Sequence, residues 1–557
     1  MPKYRKLEDM TSENKLLIDS VSVDILGNHL LATAEEMGVA LIRAAYSPNI
    51  KERRDCSTSL LDREGRTIAQ AEHIPLHMGS MFGFIPRLLE QFGDDIHEGD
   101  VFLSNDPYVG GSTHLPDVSV VAPMFADGKL AGFAASVAHH AEMGGSLGGA
   151  PDIFSEGLRI PPVKIISGGL VDDQVMRFIL NNCRAPLDRR GDLRAQFAAV
   201  RLGVQRYADL CEKYGPEYVL QATELWLDKA EQQVRSALEK VTPGTYSFVD
   251  YIDYDGAGTE DIEIKVAVSI SADNVSVDFS GTSSQVPGQI NVVPSALDAT
   301  VYYAIKAALD PELPANSGFY RVIDIQAERG SILNPIDPAP VWSRSDTCQR
   351  VAEAILGALA PALPDRIPAA SHGSIPSIHL HGRYPESGQF FSYVESYGGG
   401  FGASPAGDGP DGVHSHLTNT ANTPNEVMEI AYPFRIKRYG LRSGSGGEGH
   451  FRGGEGIVRE IETLVPGVRL RTKGDRVRTG PWGLAGGGAG STLRVTIDPE
   501  TDQEWIYRRE DNGTSLPQGS IIRIETAGGG GYGQPEAAAG TVSAEISQNE
   551  SKIGGGK

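Results

Sequence analysis

The sequence predicts an α+β fold of several lobes, in which mixed strands accompany a helical hairpin and a Gly-rich, β-containing C-terminal region. Three observations carry this expectation. The chain has 557 residues, more than one hydrophobic core of ordinary size can organise. Helical and alternating apolar periodicities occupy separate stretches rather than alternating regularly as in a parallel α/β fold. Glycine and proline, 66 and 34 residues, punctuate the chain with turns and irregular crossings.

Taken in order, Val23, Leu26, Leu30, Leu31, Met37, Leu41 and Ile42 recur at helical spacing between Ser20 and Tyr46, and Ser47-Pro48 stops that helix. Short strand-like runs follow at Cys56 to Leu61 and Val101 to Leu103. VSVVAPMF and LAGFAASVA flank Asp127-Gly128, a dipeptide that suits a type I′ turn, so 118–140 is expected to form a β-hairpin. Two helical patterns at about 192–241, broken at Tyr214-Gly215-Pro216, predict a helical hairpin. After Thr242-Pro243-Gly244, alternation at Ile262, Ile264, Val266, Val268 and Ile270 signals β structure. Two helices are expected at 296–309 and 347–359, before the Gly-rich stretch from Tyr397 to Gly533. The organisation expected is an N-terminal lobe over 1–244, carrying the β-hairpin within about 104–145. A β-rich lobe over 245–535 and a disordered tail over 536–557 follow.

A formal net charge of −22 argues against nucleic acid or anionic lipid as a partner, because both are bound by clustered Lys and Arg. Four cysteines without CxxC spacing suit buried thiols in a reducing compartment. The polar start MPKYRKLEDMTSENK and the lack of any run of about 18 apolar residues lead to the expectation of a soluble, cytoplasmic protein. No GxxxxGK[ST], GxSxG or HExxH motif occurs, and GSGGEG at 444–449 lacks the strand-turn-helix context of a dinucleotide site.

The constellation that can carry chemistry is SNDPYVGGSTHLPD, Ser104 to Asp117, followed by AHHAEMGG from Ala138. A two-residue turn at Asp127-Gly128 pairs each residue i with 255 − i, which sets Asp117 opposite Ala138 and gathers His114, Asp117, His139 and His140 at the open end of one hairpin. Two imidazoles and a carboxylate bind a divalent transition metal and leave positions open for water or substrate. Strand parity alone leaves the second histidine open. The ideal register puts His140 on the face of Asp117, and a one-residue bulge or a longer turn puts His139 there instead. Asp106 and Glu142, with whichever histidine is not a ligand, are candidates for the surrounding shell of acceptors. His414 and His416 share one face if DGVHSHLTNT is extended. His73 and His77 in AEHIPLHMGSM read as loop residues, because Pro75 interrupts a helix between them, with lining of the site as the alternative.

These motifs resemble the hydantoinase B family, whose relatives include half of oxoprolinase and subunits of acetone and acetophenone carboxylases. The resemblance runs from about Asp19 to Gly533. It rests on EEMGVALIRAAYSPNIKERRDCS, AQAEHIPLHMGSM, NDPYVGGSTHLPDVSVVAPMF, AHHAEMGG, EGLRIPPVK, VDFSGTS, YGGGFGA, DGVHSHLTNT, GSGGEGHFRGGEG, GPWGLAGG and AGGGGYGQP. It implies a metal set of His114, Asp117 and His139, leaving His140 with Asp106 and Glu142 as supporting residues, and a metal such as Zn, Mn or Fe. Glu142 stands where the family pattern has Asp, and Ser112-Thr113 lengthens the Gly-Gly-Thr-His segment by one residue. The resemblance further implies a hetero-oligomer with a hydantoinase A-type ATPase that uses ATP with Mg to phosphorylate a small cyclic amide, such as a hydantoin, oxoproline or other lactam. The expected activity is ATP-dependent cyclic amide hydrolysis. The alternatives are a subunit of an ATP-dependent ketone carboxylase and a non-catalytic scaffold stabilised by metal.

Overall fold

The computed structural model describes residues 18–71, 74–146 and 150–535. His73 and the tail expected to be disordered at 536–557 lie outside them. The entry helix spans Ser20–Ala44, starts at the Asp19 side chain, which accepts from the Ser22 N–H, and stops before Ser47-Pro48. It buries Val23, Leu26, Leu30, Met37 and Leu41, the stripe that its spacing predicts.

The first sheet contains β1 (Cys56–Asp62), β2 (Thr67–Gln70), β3 (Val101–Ser104), β4 (Asp117–Ala126), β5 (Lys129–His139), β6 (Val163–Ser167) and β7 (Leu170–Val171). Their order is β2-β1-β5-β4-β3-β6-β7 and every pair is antiparallel. Both faces are covered. Val118, Val120, Ala122 and Met124 pack with the entry helix and the helical hairpin Pro186–Tyr214 and Pro216–Leu238, while Val121, Phe102 and Phe133 pack on the helix His77–Phe92. This double burial explains why β4 reads as an almost unbroken apolar run instead of a strict alternation.

The turn between β4 and β5 has positive φ at Asp127 (48°) and Gly128 (71°), as type I′ geometry requires. Beside it Ala126 pairs with Lys129 and Phe125 with Leu130, but then Met124 pairs with Gly132 and Ala131 has no opposite number. This bulge corrects the ideal register by one residue, so that Asp117 faces His139 and Val118 faces Ala138.

The second sheet, in the order β11-β10-β9-β8, contains β8 (Gly244–Tyr254), β9 (Glu260–Ile270), β10 (Val275–Asp278) and β11 (Ile323–Gln326). The alternating residues Ile262 to Ile270 face a core completed by the helices Pro294–Leu309 and Arg344–Leu359, and Ile74, Leu115 and Ile153 from earlier in the chain join it.

The C-terminal region adds β12 (Ser377–Arg383), β13 (Phe390–Ser396), β14 (Phe434–Arg442), β15 (Gly456–Thr463), β16 (Val468–Lys473), β17 (Arg494–Ile497), β18 (Trp505–Ile506), β19 (Ser515–Leu516) and β20 (Ile521–Glu525). They form the sheets β13-β12-β16-β19 and β14-β15-β20-β17-β18 around Tyr393, Phe434, Ile461, Leu470 and Ile522.

Against these sheets the Gly-rich segments pack backbone on backbone. The Gly454 N–H donates to the Phe401 carbonyl (2.8 Å), Gly529 to Gly454 (2.9 Å), Gly531 to Gly488 (2.9 Å) and Gly530 to Ala370 (2.7 Å). A Cβ on Gly402 would sit 1.7 Å from the Ala369 carbonyl oxygen, and one on Gly400 1.9 Å from that of Gly454. No side chain fits between such chains, so the composition is a packing requirement. The four cysteines are free and buried. Among the described residues no helix is long and apolar enough to cross a membrane.

Candidate metal centre

A tight turn ends in β4 and sets the first two donors. The Asp117 N–H donates to the His114 carbonyl (3.1 Å), bringing the two side chains together, and fully buried Leu115 anchors the turn. The bulge in the hairpin then delivers His139 directly across from Asp117. His114 Nε2 lies 3.0 Å from Asp117 Oδ1, His139 Nδ1 lies 3.0 Å from the same oxygen, and the two nitrogens are 3.2 Å apart. Donors about 2.1 Å from one ion are about 3.0 Å apart at octahedral cis positions and about 3.4 Å apart at tetrahedral ones. The observed triangle suits three donors on one face of an ion.

The partners of these side chains fix their roles. His114 Nδ1 donates to the Trp342 carbonyl (3.2 Å), which leaves the lone pair of Nε2 facing Asp117 Oδ1. Burial, with Arg344 adding to it, holds the His114 imidazole well below its ordinary pKa and therefore neutral. Asp117 Oδ2 is taken up by Arg344 Nη2 (2.6 Å) and the Thr113 hydroxyl (3.0 Å). Burial works against the charged carboxylate, but the permanently charged Arg344 at 2.6 Å favours it, and the Asp117 pKa stays well below the usual range. Two acceptors, a neutral Nε2 and an ionised Oδ1, thus face each other at 3.0 Å with His139 beside them. A shared proton or a cation held by the three groups bridges that contact.

Asp106, His140 and Glu142 are not the supporting residues expected from the sequence. Asp106 accepts from the Tyr108 and Val109 N–H groups and pairs with Arg159 (2.8 Å), closing the turn before Pro107. His140 follows His139 on the strand path and therefore turns to the opposite side, where Nε2 lies 3.0 Å from Gln196 Oε1 of the helical hairpin. Glu142 accepts from the Gly144 and Arg184 N–H groups and from the Arg184 guanidinium. The surrounding shell comes instead from Thr113, Arg344 and the Trp342 carbonyl, and Glu156 holds the last by accepting from the Val341 and Trp342 N–H groups. Burial raises the Glu156 carboxyl to about 8.

His77 is not a loop residue. It opens the helix His77–Phe92, is buried, and places Nε2 3.5 Å from Asp55 Oδ1 and 3.7 Å from Asp117 Oδ1. Nothing in the spacing of AEHIPLHMGSM assigns it to the site, because the contact is made across the sheet. His414 and His416 do not share an extended face: His416 has φ +49°, its Nδ1 lies 3.3 Å from the Tyr303 hydroxyl, and His414 Nε2 lies 3.4 Å from that of Thr420.

The triad opens into a cavity of about 60 Å³. Arg53, Asp55 and His77 line it beside the triad, and Trp342, Arg344, Ser345, Ser377, His379 and Lys473 line it from later in the chain.

The sequence matches the family model described as hydantoinase B/oxoprolinase over residues 19–535. It is 38% identical to an uncharacterized protein of Methanocaldococcus jannaschii over 533 residues, covering 93% of this chain and 91% of that protein. It is 30% identical to caprolactamase subunit beta of Pseudomonas jessenii over 540 residues, covering 93% of this chain and 91% of the relative. Its fold is similar to the crystal structure of the ATP-dependent caprolactamase from Pseudomonas jessenii, with a TM-score of 0.86 at 27% identity, over 93% of this chain and 92% of the other. A match of this extent, across the segments that build the triad and the glycine lattice alike, means that the chain belongs to the hydantoinase B/oxoprolinase family.

Proposed function

We propose that this chain is the metal-binding subunit of an ATP-dependent, two-component enzyme that hydrolyses a small cyclic amide, a hydantoin, oxoproline or other lactam. The observation that carries the reading is the triangle of His114 Nε2, His139 Nδ1 and Asp117 Oδ1, 3.0 to 3.2 Å apart, which suits a divalent cation. His114, Asp117 and His139 would hold a divalent transition metal such as Zn, Mn or Fe, and that ion would supply Lewis acidity towards the amide carbonyl or an attacking water. Activation by a hydantoinase A-type partner, using ATP with Mg, would come first, because an unstrained amide resists attack until its oxygen is made a leaving group. The family resemblance supports this partner, and so does the name of a relative as a beta subunit.

The chain's own residues then have separate tasks. Arg344 keeps Asp117 ionised and frees Oδ1 to act as a donor. The Trp342 carbonyl holds the His114 tautomer that presents Nε2. His77, between Asp55 and Asp117, provides a ring nitrogen beside the open side of the triad that can take or return a proton. The buried cavity limits bulk water around the reacting carbonyl.

The test is reconstitution with an A-type partner. ATP turnover should depend on a cyclic amide and not on bicarbonate, and elemental analysis should find one metal per chain, lost in His114→Ala with little change in melting temperature. Strict dependence on bicarbonate would assign the chain to a carboxylase, and full activity without bound metal would overturn the reading.

A further inference from the structure

The cavity is also lined by residues from later in the chain that are not part of the triad. Lys473 ends β16 and pairs in register with Ser377 of β12. Its Nζ donates to the Ser345 hydroxyl (2.8 Å), in the first turn of the helix Arg344–Leu359. The first two residues of that helix, Arg344 and Ser345, both line the cavity.

Lys473 differs from the other cations of the cavity. Arg344 is paired with Asp117, and Arg53 lies 3.8 Å from Asp55. The carboxylate next in line, Asp346, is occupied by Arg509 (3.0 Å) and the Ile375 N–H. Among the described residues, no carboxylate lies within ion-pair distance of Lys473, and its other near neighbour is the Trp342 ring, 5.9 Å away. Burial pulls its pKa down to about 8 in spite of Asp346. His379 beside it is neutral, since burial and His381 hold its pKa well below the ordinary value. A cation partly withdrawn from water with no carboxylate in direct contact is costly on its own and becomes favourable when an anion fills the space before it.

We propose that Lys473 and Ser345 form an oxyanion subsite in the cavity that the triad lines, which takes a phosphoryl or carboxylate group of the ligand. The subsite rests on the reading of this cavity as the place where substrate is processed. Two sources supply the oxyanion: the phosphoryl group placed on the amide by activation, or a carboxylate carried on the ring.

The experiment is a calorimetric titration of inorganic phosphate into the full chain stripped of metal with a chelator, so that no bound ion contributes. Lys473→Met should weaken phosphate binding about tenfold or more, the loss of one charge-assisted contact, and Lys473→Arg should recover most of it. If Lys473→Met lowers the melting temperature, Ser345→Ala supplies the comparison, because it removes the hydroxyl that holds the ammonium. In the reconstituted enzyme, loss of turnover on both a neutral lactam and a carboxylate-bearing lactam identifies the phosphoryl group, and loss on the carboxylate-bearing one alone identifies the ring carboxylate. Phosphate affinity unchanged in Lys473→Met, or absent in the wild type, overturns the subsite. Failure to find metal in the wild type would sink the proposed function instead, and leave phosphate binding to Lys473 as a separate result.

Discussion

The hairpin that carries the triad and the glycine lattice of the C-terminal region are specified in opposite ways. In β4 and β5 the information lies in side chains: apolar groups bury both faces, and polar ones converge where the strands open. In the lattice it lies in their absence, since neighbouring chains approach until a methyl group would overlap a carbonyl. Glycine occurs in both regions for different reasons. Gly128 has nothing within 4 Å of an added Cβ and is there for its φ of +71°, whereas Gly402 is there for space. Substitution should therefore be graded in the hairpin and close to all-or-none in the lattice.

The largest effect expected is that of Gly402→Ala, whose new methyl would overlap the Ala369 carbonyl. A cost of about 5 kcal/mol or more should keep the protein from accumulating in folded form, and a near-native melting temperature would break the comparison. Next comes Asp117→Ala, which strands the buried Arg344 guanidinium. Denaturant unfolding should register about 3–5 kcal/mol, and metal content should fall with it.

The third prediction concerns His381 on β12, in the sheet β13-β12-β16-β19. Burial, and Arg471 beside it, pull the His381 imidazole down to about 3, while the unfolded chain binds a proton near 6.5. Because the folded value is depressed, the stability is present above pH 6.5 and lost as pH falls towards 3. The slope attributable to this residue is about 1.4 kcal/mol per pH unit. His381→Gln should flatten the pH dependence of unfolding by that amount, and an unchanged slope would show that the ring is hydrated. Gly128→Ala should cost about 1–2 kcal/mol through left-handed strain alone, and Gly128→Asn less, as read from the shift in melting temperature. Arg478→Ala, which breaks exposed pairs with Glu260 and Asp261, should leave that temperature within experimental scatter.

Local signals in the sequence foretell local structure well. The entry helix, the break at Gly215 and the alternation in β9 appear where periodicity and turn chemistry put them, because burial on a defined face leaves a readable pattern. At the candidate centre, the convergence of His114, Asp117 and His139 was legible in outline from the hairpin. The choice of histidine was not legible from parity, since it depends on an unpaired Ala131 with no distinctive residue type. Asp106, His140 and Glu142 looked available because they adjoin the ligands in sequence, yet strand alternation and local turns take them elsewhere. Arg344 and Lys473 carry no local signal, because they reach the cavity from separate elements far along the chain.

The single residue displaced from the ladder at Ala131 sets a long-range dependence. From there to His139 the strand runs eight residues, about 27 Å at the usual rise. Removing that one residue would close the bulge and leave His139 opposite Asp117, whereas pairing all residues of the strand without a bulge would set Asp117 opposite Ala138. The ligand set at the mouth of this hairpin therefore depends on how its loop end absorbs length, so an insertion near Asp127 that no bulge takes up is to be judged as a change to coordination chemistry rather than as surface variation.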